Sequence, residues 1–84
     1  MLAELDTKDR IVGIKQLKKA LSDGRARKVF VALDADPRLV DPVVAQCRDQ
    51  GVELEEAPSM EALGKACGIE VGAAVAALIE NTGA

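Results

Sequence analysis

Histidine, tryptophan and tyrosine are absent from the 84 residues, and Phe30 is the single aromatic side chain. Without histidine, the commonest general base and any Ser–His or Cys–His nucleophile pair are missing. Cys47 and Cys67 do not form a Cys-x-x-Cys pair, so a structural zinc site lacks ligands, and we interpret both as buried, reduced thiols. The sequence therefore predicts a protein that is not an enzyme, holds no metal and needs no cofactor.

Long apolar runs are missing as well. No stretch approaches the roughly 20 apolar residues that span a bilayer. The segment from Met1 to Arg10 alternates acids and bases, unlike a secretory signal. We therefore expect a cytoplasmic protein with no membrane partner. The length fits one domain over residues 1–84, and the hydrophobic content of 49% predicts a packed, aliphatic core.

The charges are strongly segregated along the chain. Residues 8–28 carry eight basic and two acidic side chains, a net charge of +6, whereas the remainder carries −9. A basic segment of this kind can hold a phosphate backbone while the acidic remainder keeps the protein soluble. A solvated helix face explains the same residues, and charge alone leaves both interpretations open.

Apolar periodicity and chain breakers predict alternating helices and strands. Helices are predicted at 2–9, at 14–23, from Asp41-Pro42 to Gly51 and from Ser59 to Gly68, and strands at 10–12, 28–34, 52–57 and 73–79. Residues 28–34 suit a strand covered on both faces, and 52–57 an edge strand. The alanines of 73–79 would also suit a buried helix, but we interpret the run as a central strand. The order predicts an α/β fold, a three-layer α/β/α sandwich.

Two segments carry candidate functional residues. In the first, Gly13 precedes a helix whose exposed face is predicted to present Lys15, Gln16 and Lys19. Lysine donates to phosphates and to guanine edges, and a glutamine amide can both donate and accept there. An amphipathic helix with solvated lysines is the commoner explanation of such a pattern.

In the second segment, residues 63–72, three glycines surround the loop residues Ile69, Glu70 and Val71. Apolar side chains in a loop either anchor it to the core or meet a partner, and the pattern favours neither. With no aromatic side chain to stack on bases, small aliphatic contacts would cover an unstacked nucleotide. Asp34, Asp36 and Asp41 could form an acid/base or metal cluster, but the prolines after Asp36 and Asp41 favour helix capping. The glycines match no nucleotide-binding motif.

Three segments stand out together: G-I-K-Q-L-K-K at 13–19, V-A-L-D-A-D-P at 31–37 and L-G-K-A-C-G-I-E-V-G at 63–72. They resemble the kink-turn-binding ribosomal proteins of the L7Ae family. The resemblance covers nearly the whole chain and includes the short bacterial relatives of the archaeal proteins. It implies an α/β/α sandwich with a mixed four-stranded sheet, in a protein that binds sharply bent RNA with tandem sheared G·A pairs. We also expect the protein to be a monomer.

The resemblance also implies a role for each matching residue. Gly13 opens the RNA-contacting helix, Lys15 and Gln16 stand where archaeal members read the guanines with Asn and Glu, and Lys19 contacts the same region. Lys65 matches a basic residue of the second motif. The loop at 69–71 packs against the kinked strand and its extruded base.

The function we expect is kink-turn recognition without catalysis, with ribosomal RNA or a riboswitch as the RNA partner. The alternative is a protein-interaction or ribosome-assembly module that does not recognise RNA specifically.

Overall fold

The structure is a computed structural model that describes Leu5 and residues 9–79. Its elements are β1 (Arg10–Val12), α1 (Ile14–Ser22), β2 (Ala26–Ala32), α2 (Pro37–Gln50), β3 (Glu53–Ala57), α3 (Met60–Ala66) and β4 (Val75–Ile79). All four predicted strands and the three predicted helices after residue 13 are present. The helix predicted at 2–9 lies, apart from Leu5 and Asp9, outside the described residues.

The four strands form one mixed sheet in the order β1-β4-β2-β3. β4 runs antiparallel to both β1 and β2, whereas β2 and β3 are parallel. The alanine-rich β4 is therefore a central strand and β3 an edge strand, as the apolar and alternating patterns predict. Because β1, β2 and β3 all run the same way, their C-terminal ends meet the start of β4 at one end of the sheet, which we call the site end.

Helices cover both faces of the sheet and enclose an aliphatic core. α1 packs against α2 on one face, while α3 packs on β2, β3 and β4, giving the expected three-layer α/β/α sandwich. The largest fully buried side chains are Phe30, Leu5, Leu17, Leu21, Leu63, Val29, Val43, Val75, Cys47 and Cys67. Both cysteines are free and buried, as predicted, and burial raises the pKa of the Cys47 thiol.

The prediction that Asp41-Pro42 opens the second helix is wrong, because α2 begins five residues earlier. Asp36 is its N-cap and accepts a hydrogen bond of 2.9 Å from the backbone N–H of Arg38, and Pro37 takes the first helical position. The earlier start adds a turn that buries Val40 in the core. Pro42 lies inside the helix and has no N–H to donate to the carbonyl of Arg38. Because Arg38 is exposed, water can donate a hydrogen bond to that carbonyl instead.

The prolines after Asp36 and Asp41 predict that both cap helices, and this is confirmed for Asp36 and wrong for Asp41. Asp36 caps α2, and Asp34 accepts a hydrogen bond of 2.7 Å from the N–H of Met60, the first residue of α3. Asp41 lies within α2. β2 ends at Ala32, two residues before the predicted boundary. Asp34 does not continue the strand, since its carboxylate binds the N–H of Met60 at the start of α3. Within Leu5 and residues 9–79, no group of three or more possible ligands could hold a metal ion.

Candidate functional site

Hydrogen bonds between chain segments bring the two candidate motifs to the site end of the sheet. The N–H of Gly13, just before α1, donates to the carbonyl of Val75 at 3.2 Å, and that of Ala32 donates to Ala74 at 2.9 Å. The segment 67–74, which we call the α3–β4 connection, therefore reaches the sheet beside the start of α1. The structure places the helix motif and the loop motif at the same end of the molecule.

The start of α1 needs glycine and leaves its polar face free. Gly13 has φ = 106°, a backbone conformation that strains any residue with a side chain. Lys15, Gln16 and Lys19 are all exposed, as predicted, while Leu17 on the opposite face is buried. Because the first turn of α1 has no acidic residue and no side-chain cap, its N–H groups remain available to a negatively charged partner.

The α3–β4 connection lies directly on α3 because position 64 has no side chain. A methyl group at Gly64 would overlap the carbonyl oxygen of Val71 and lie 3.2 Å from the Cα of Gly72. Ile69 is half-buried against the core, and its N–H donates to the Gly64 carbonyl at 3.1 Å. Ile69 therefore fits the explanation that the loop is anchored to the core. Val71, which is 70% exposed, remains available to a partner.

Arg10 fixes the beginning of the same connection. Its guanidinium donates a hydrogen bond of 2.6 Å to the carbonyl of Cys67, the residue that ends α3. Burial raises the pKa of the Cys67 thiol, and the positive charge of Arg10 offsets part of that rise. The raised pKa favours the protonated thiol near neutral pH. The contribution of Cys67 to the site is its backbone carbonyl.

The other two predicted site residues, Lys65 and Glu70, are exposed polar side chains. Lys65 follows Gly64 in the last turn of α3, and its ammonium lies 3.3 Å from the carboxylate of Glu61, one helical turn earlier. Both side chains are largely exposed, so this pair is weak and either partner can exchange it for an external group. Glu70 lies between Ile69 and Val71 and is exposed.

Two exposed leucines at the site end were not among the predicted site residues. Leu33 follows β2 and is 62% exposed, and Leu39 lies in the first turn of α2 and is 51% exposed. With Val71, they are the large apolar side chains that the described part of the chain exposes. Their exposure does not follow from the sequence pattern, because Leu33 continues an apolar strand pattern and Leu39 fits the apolar positions of a helix. All three belong to segments that converge at the site end.

No helix in the described part of the chain is long and apolar enough to cross a membrane.

Comparisons with known proteins show the family and support the fold. The profile of the ribosomal protein L7Ae/L30e/S12e/Gadd45 family matches residues 2–84. RNA-binding protein GWCH70_0105 of Geobacillus sp. (strain WCH70) is 46% identical over 69 residues, which cover 82% of this chain and 84% of that protein. RNA-binding protein YbxF of Geobacillus stearothermophilus is 42% identical with the same coverage. The solved structure of the Giardia lamblia 15.5kD RNA binding protein superposes with a TM-score of 0.82 at 31% identity, covering 98% of this chain and 68% of that one.

Proposed function

Because the chain belongs to the ribosomal protein L7Ae/L30e/S12e/Gadd45 family, we propose that it is an RNA-binding protein that recognises kink-turn RNA and stabilises its bent form. The observation that supports this most strongly is the hydrogen bond between Gly13 and Val75, which holds the exposed start of α1 next to the α3–β4 connection. A sharply bent RNA presents two surfaces at its kink, and two adjacent protein segments can contact both.

In this proposal the start of α1 contacts the tandem sheared G·A pairs. Lys15 donates to guanine O6 or N7, and the amide of Gln16 donates and accepts at the base edges. Lys19, one turn further along the same face, contacts phosphate oxygens. Gly13 lets the backbone approach the RNA closely, since nothing lies within 4 Å of the position that a side chain would take.

The loop at 69–71 covers the kinked strand. Val71 is exposed and packs on the unstacked nucleotide, in the place that an aromatic side chain takes in many RNA-binding proteins. Ile69 holds the loop against the core, and the carboxylate of Glu70 accepts hydrogen bonds from base amino groups or ribose hydroxyls. Lys65 adds a positive charge beside the same strand.

The mechanism is conformational capture rather than catalysis. Bending an RNA brings phosphates together and loses base stacking, so the free RNA populates the bent form only in part. A protein that contacts the G·A pairs and the kinked strand at once binds the bent form better and shifts the population towards it. The protein acts as a cytoplasmic monomer without a cofactor, and the RNA is a ribosomal or riboswitch element.

Competition binding with two matched RNAs tests the proposal. One RNA contains a kink-turn, and in the other Watson–Crick pairs replace the tandem G·A pairs while length and charge stay the same. We expect the kink-turn to bind at least about tenfold more tightly, since each good base-edge contact is worth about 1–3 kcal/mol. Equal affinity for the two RNAs would contradict the proposal.

A protein-interaction module is the second candidate, and the exposure of Leu33, Leu39 and Val71 is the observation that favours it. Apolar side chains grouped on one surface often mark a protein interface. This candidate predicts no preference between the two RNAs, so the same competition experiment separates the two functions.

A further inference from the structure

The unpaired cations of this protein extend well beyond the predicted RNA site. Five exposed side chains, which we call the basic track, lie on α1 and the segment after it: Lys15, Lys18, Lys19, Arg25 and Arg27. Within the described residues, no carboxylate forms an ion pair with any of them. Lys28, by contrast, lies 3.2 Å from Glu53 and 3.0 Å from Glu55. Neither the family resemblance nor the proposed function gives a role to Arg25 or Arg27.

The track runs along one side of α1 and continues past its end. Lys18 and Lys19 lie three and four residues after Lys15, which places all three on one side of the helix. α1 has nine residues and is therefore about 13.5 Å long. Its end turns sharply at Gly24, where φ is 70°, and the N–H of Arg25 donates to the carbonyl of Ala20 at 2.9 Å. This hydrogen bond keeps Arg25 close to the last turn of α1.

The far end of the track opens into a groove between the C-terminal ends of α1 and α2. The groove has a volume of about 500 Å³, and its polar lining includes Ser22, Arg27 and Gln50. None of its lining residues is acidic, although Asp23 and Asp49 are close in sequence. A second groove, between α2 and the edge strand β3, is lined by two acidic residues, Glu55 and Glu56, and one basic residue, Arg48. The two grooves therefore differ in charge, and only the first continues the basic track.

We propose that Arg25, Arg27 and this groove, which continue the basic track beyond Lys19, form a second RNA contact, which holds the sugar-phosphate backbone of one helical arm where it leaves the kink. The identity of the ligand as RNA rests on the proposed function. Fixed cations without protein partners suit a polyanion, because each phosphate contact releases condensed counterions from the RNA. At roughly 3 Å per base pair of an RNA duplex, the length of α1 corresponds to about four to five base pairs, so a longer arm is needed to reach Arg25 and Arg27.

The test compares single substitutions on RNAs that differ only in arm length. Arg25→Gln and Arg27→Gln each remove one charge from the track. Arg48→Gln is the matched control, because Arg48 is an exposed arginine that lines the other groove. Each variant is titrated at several salt concentrations with a series of kink-turn RNAs. In this series one arm at a time is extended from three to about ten base pairs, and the short arms are closed by a loop.

The slope of log affinity against log salt concentration is negative. On the RNA with the extended arm, we expect each track variant to reduce the magnitude of this slope by about 0.7–0.9. This change in slope makes binding about fivefold weaker near 0.15 M salt, and the difference from the wild type disappears towards 1 M. The effect should vanish when that arm is short, and Arg48→Gln should bind like the wild type. Track variants that leave slope and affinity unchanged on every RNA, or that match Arg48→Gln, would overturn the proposal.

The two proposals fail in different ways. If the protein distinguishes G·A pairs but Arg25→Gln and Arg27→Gln bind normally, the second contact is refuted and the proposed function stands. If arm extension strengthens binding through both arginines while the G·A pairs make no difference, the second contact stands and kink-turn recognition is refuted.

Discussion

The guanidinium of Arg10 donates a 2.6 Å hydrogen bond to the backbone carbonyl of Cys67, and so connects the two segments that form the candidate site. Arg10 begins β1, which leads into Gly13 and α1, whereas Cys67 begins the connection that carries Val71. A charged donor to a carbonyl is among the stronger hydrogen bonds, and this one is partly buried. Arg10 therefore positions the loop relative to the helix.

Replacing Arg10 should loosen the loop without removing a phosphate contact. For Arg10→Met we expect faster amide hydrogen exchange at residues 68–72 and RNA binding that is several-fold weaker. The slope of log affinity against log salt concentration should not change, because that slope counts phosphate contacts. Arg10→Lys, which keeps a donor, should recover part of the affinity. A salt slope of smaller magnitude for Arg10→Met would instead indicate that Arg10 contacts the RNA directly.

Gly64→Ala tests whether the position of the loop matters for binding. The added methyl group overlaps the Val71 carbonyl oxygen, so the loop must move away from α3. We expect RNA affinity to fall about tenfold, or about 1.4 kcal/mol. Gly51→Ala is the control, because Gly51 ends α2 at φ = 70° with open space around it. That variant is destabilised by backbone strain alone, and the account is contradicted if both variants lose RNA affinity to the same extent while folded.

Lys19→Ala and Gln16→Ala should weaken binding in different ways. A phosphate contact by Lys19 predicts weaker binding to every RNA and a salt slope lower by about 0.7–0.9. A base-edge contact by Gln16 predicts an unchanged slope and a smaller preference for the kink-turn over its Watson–Crick counterpart. Affinities of both variants for both RNAs at several salt concentrations provide the check. Equal losses on the two RNAs for Gln16→Ala would exclude its assignment to the G·A pairs.

The N-cap of α2 should make stability depend on pH. The side chain of Arg38 and its backbone N–H both hydrogen-bond to Asp36, which lowers the pKa of that carboxyl below its ordinary value of 3.8. The charged form is therefore favoured in the folded protein, and its contribution is complete well above pH 3.8 and lost as the pH falls through the lowered pKa. Asn also caps helices but carries no charge.

Urea unfolding of the wild type and Asp36→Asn at a series of pH values measures this contribution. We expect the wild type to be the more stable at about pH 5 and above, and the difference to shrink as the pH falls below 3.8. A difference that stays constant down to about pH 2 would show that the charge of Asp36 contributes nothing to it.

Local patterns predicted the order of the elements correctly, and the failures have physical causes. The alternation of Val52 and Leu54 with Glu53 and Glu55 indicates a half-exposed strand, and β3 is one. The start of α2 was placed wrongly because Asp36-Pro37 and Asp41-Pro42 carry the same capping signal. Only the packing of Val40 into the core distinguishes them, and that packing depends on the other elements.

The exposure of the candidate site residues was predictable from the sequence, but the surface that they form was not. The exposure of Lys15, Gln16 and Lys19 follows from helical periodicity. The contacts that assemble the surface join positions far apart in sequence, such as Arg10 and Cys67, and no local pattern encodes them. The division of roles between Ile69 and Val71 likewise required knowing which side of the loop faces α3.

The central claim is that the start of α1 and the loop at 69–71 act together to hold RNA in a bent form. Fluorescence energy transfer between dyes on the two arms of a kink-turn RNA measures that bend directly. We expect transfer to rise to saturation at one protein per RNA, and to stay constant when Watson–Crick pairs replace the G·A pairs. Binding to the kink-turn with no rise in transfer, or an equal rise on both RNAs, would contradict the claim.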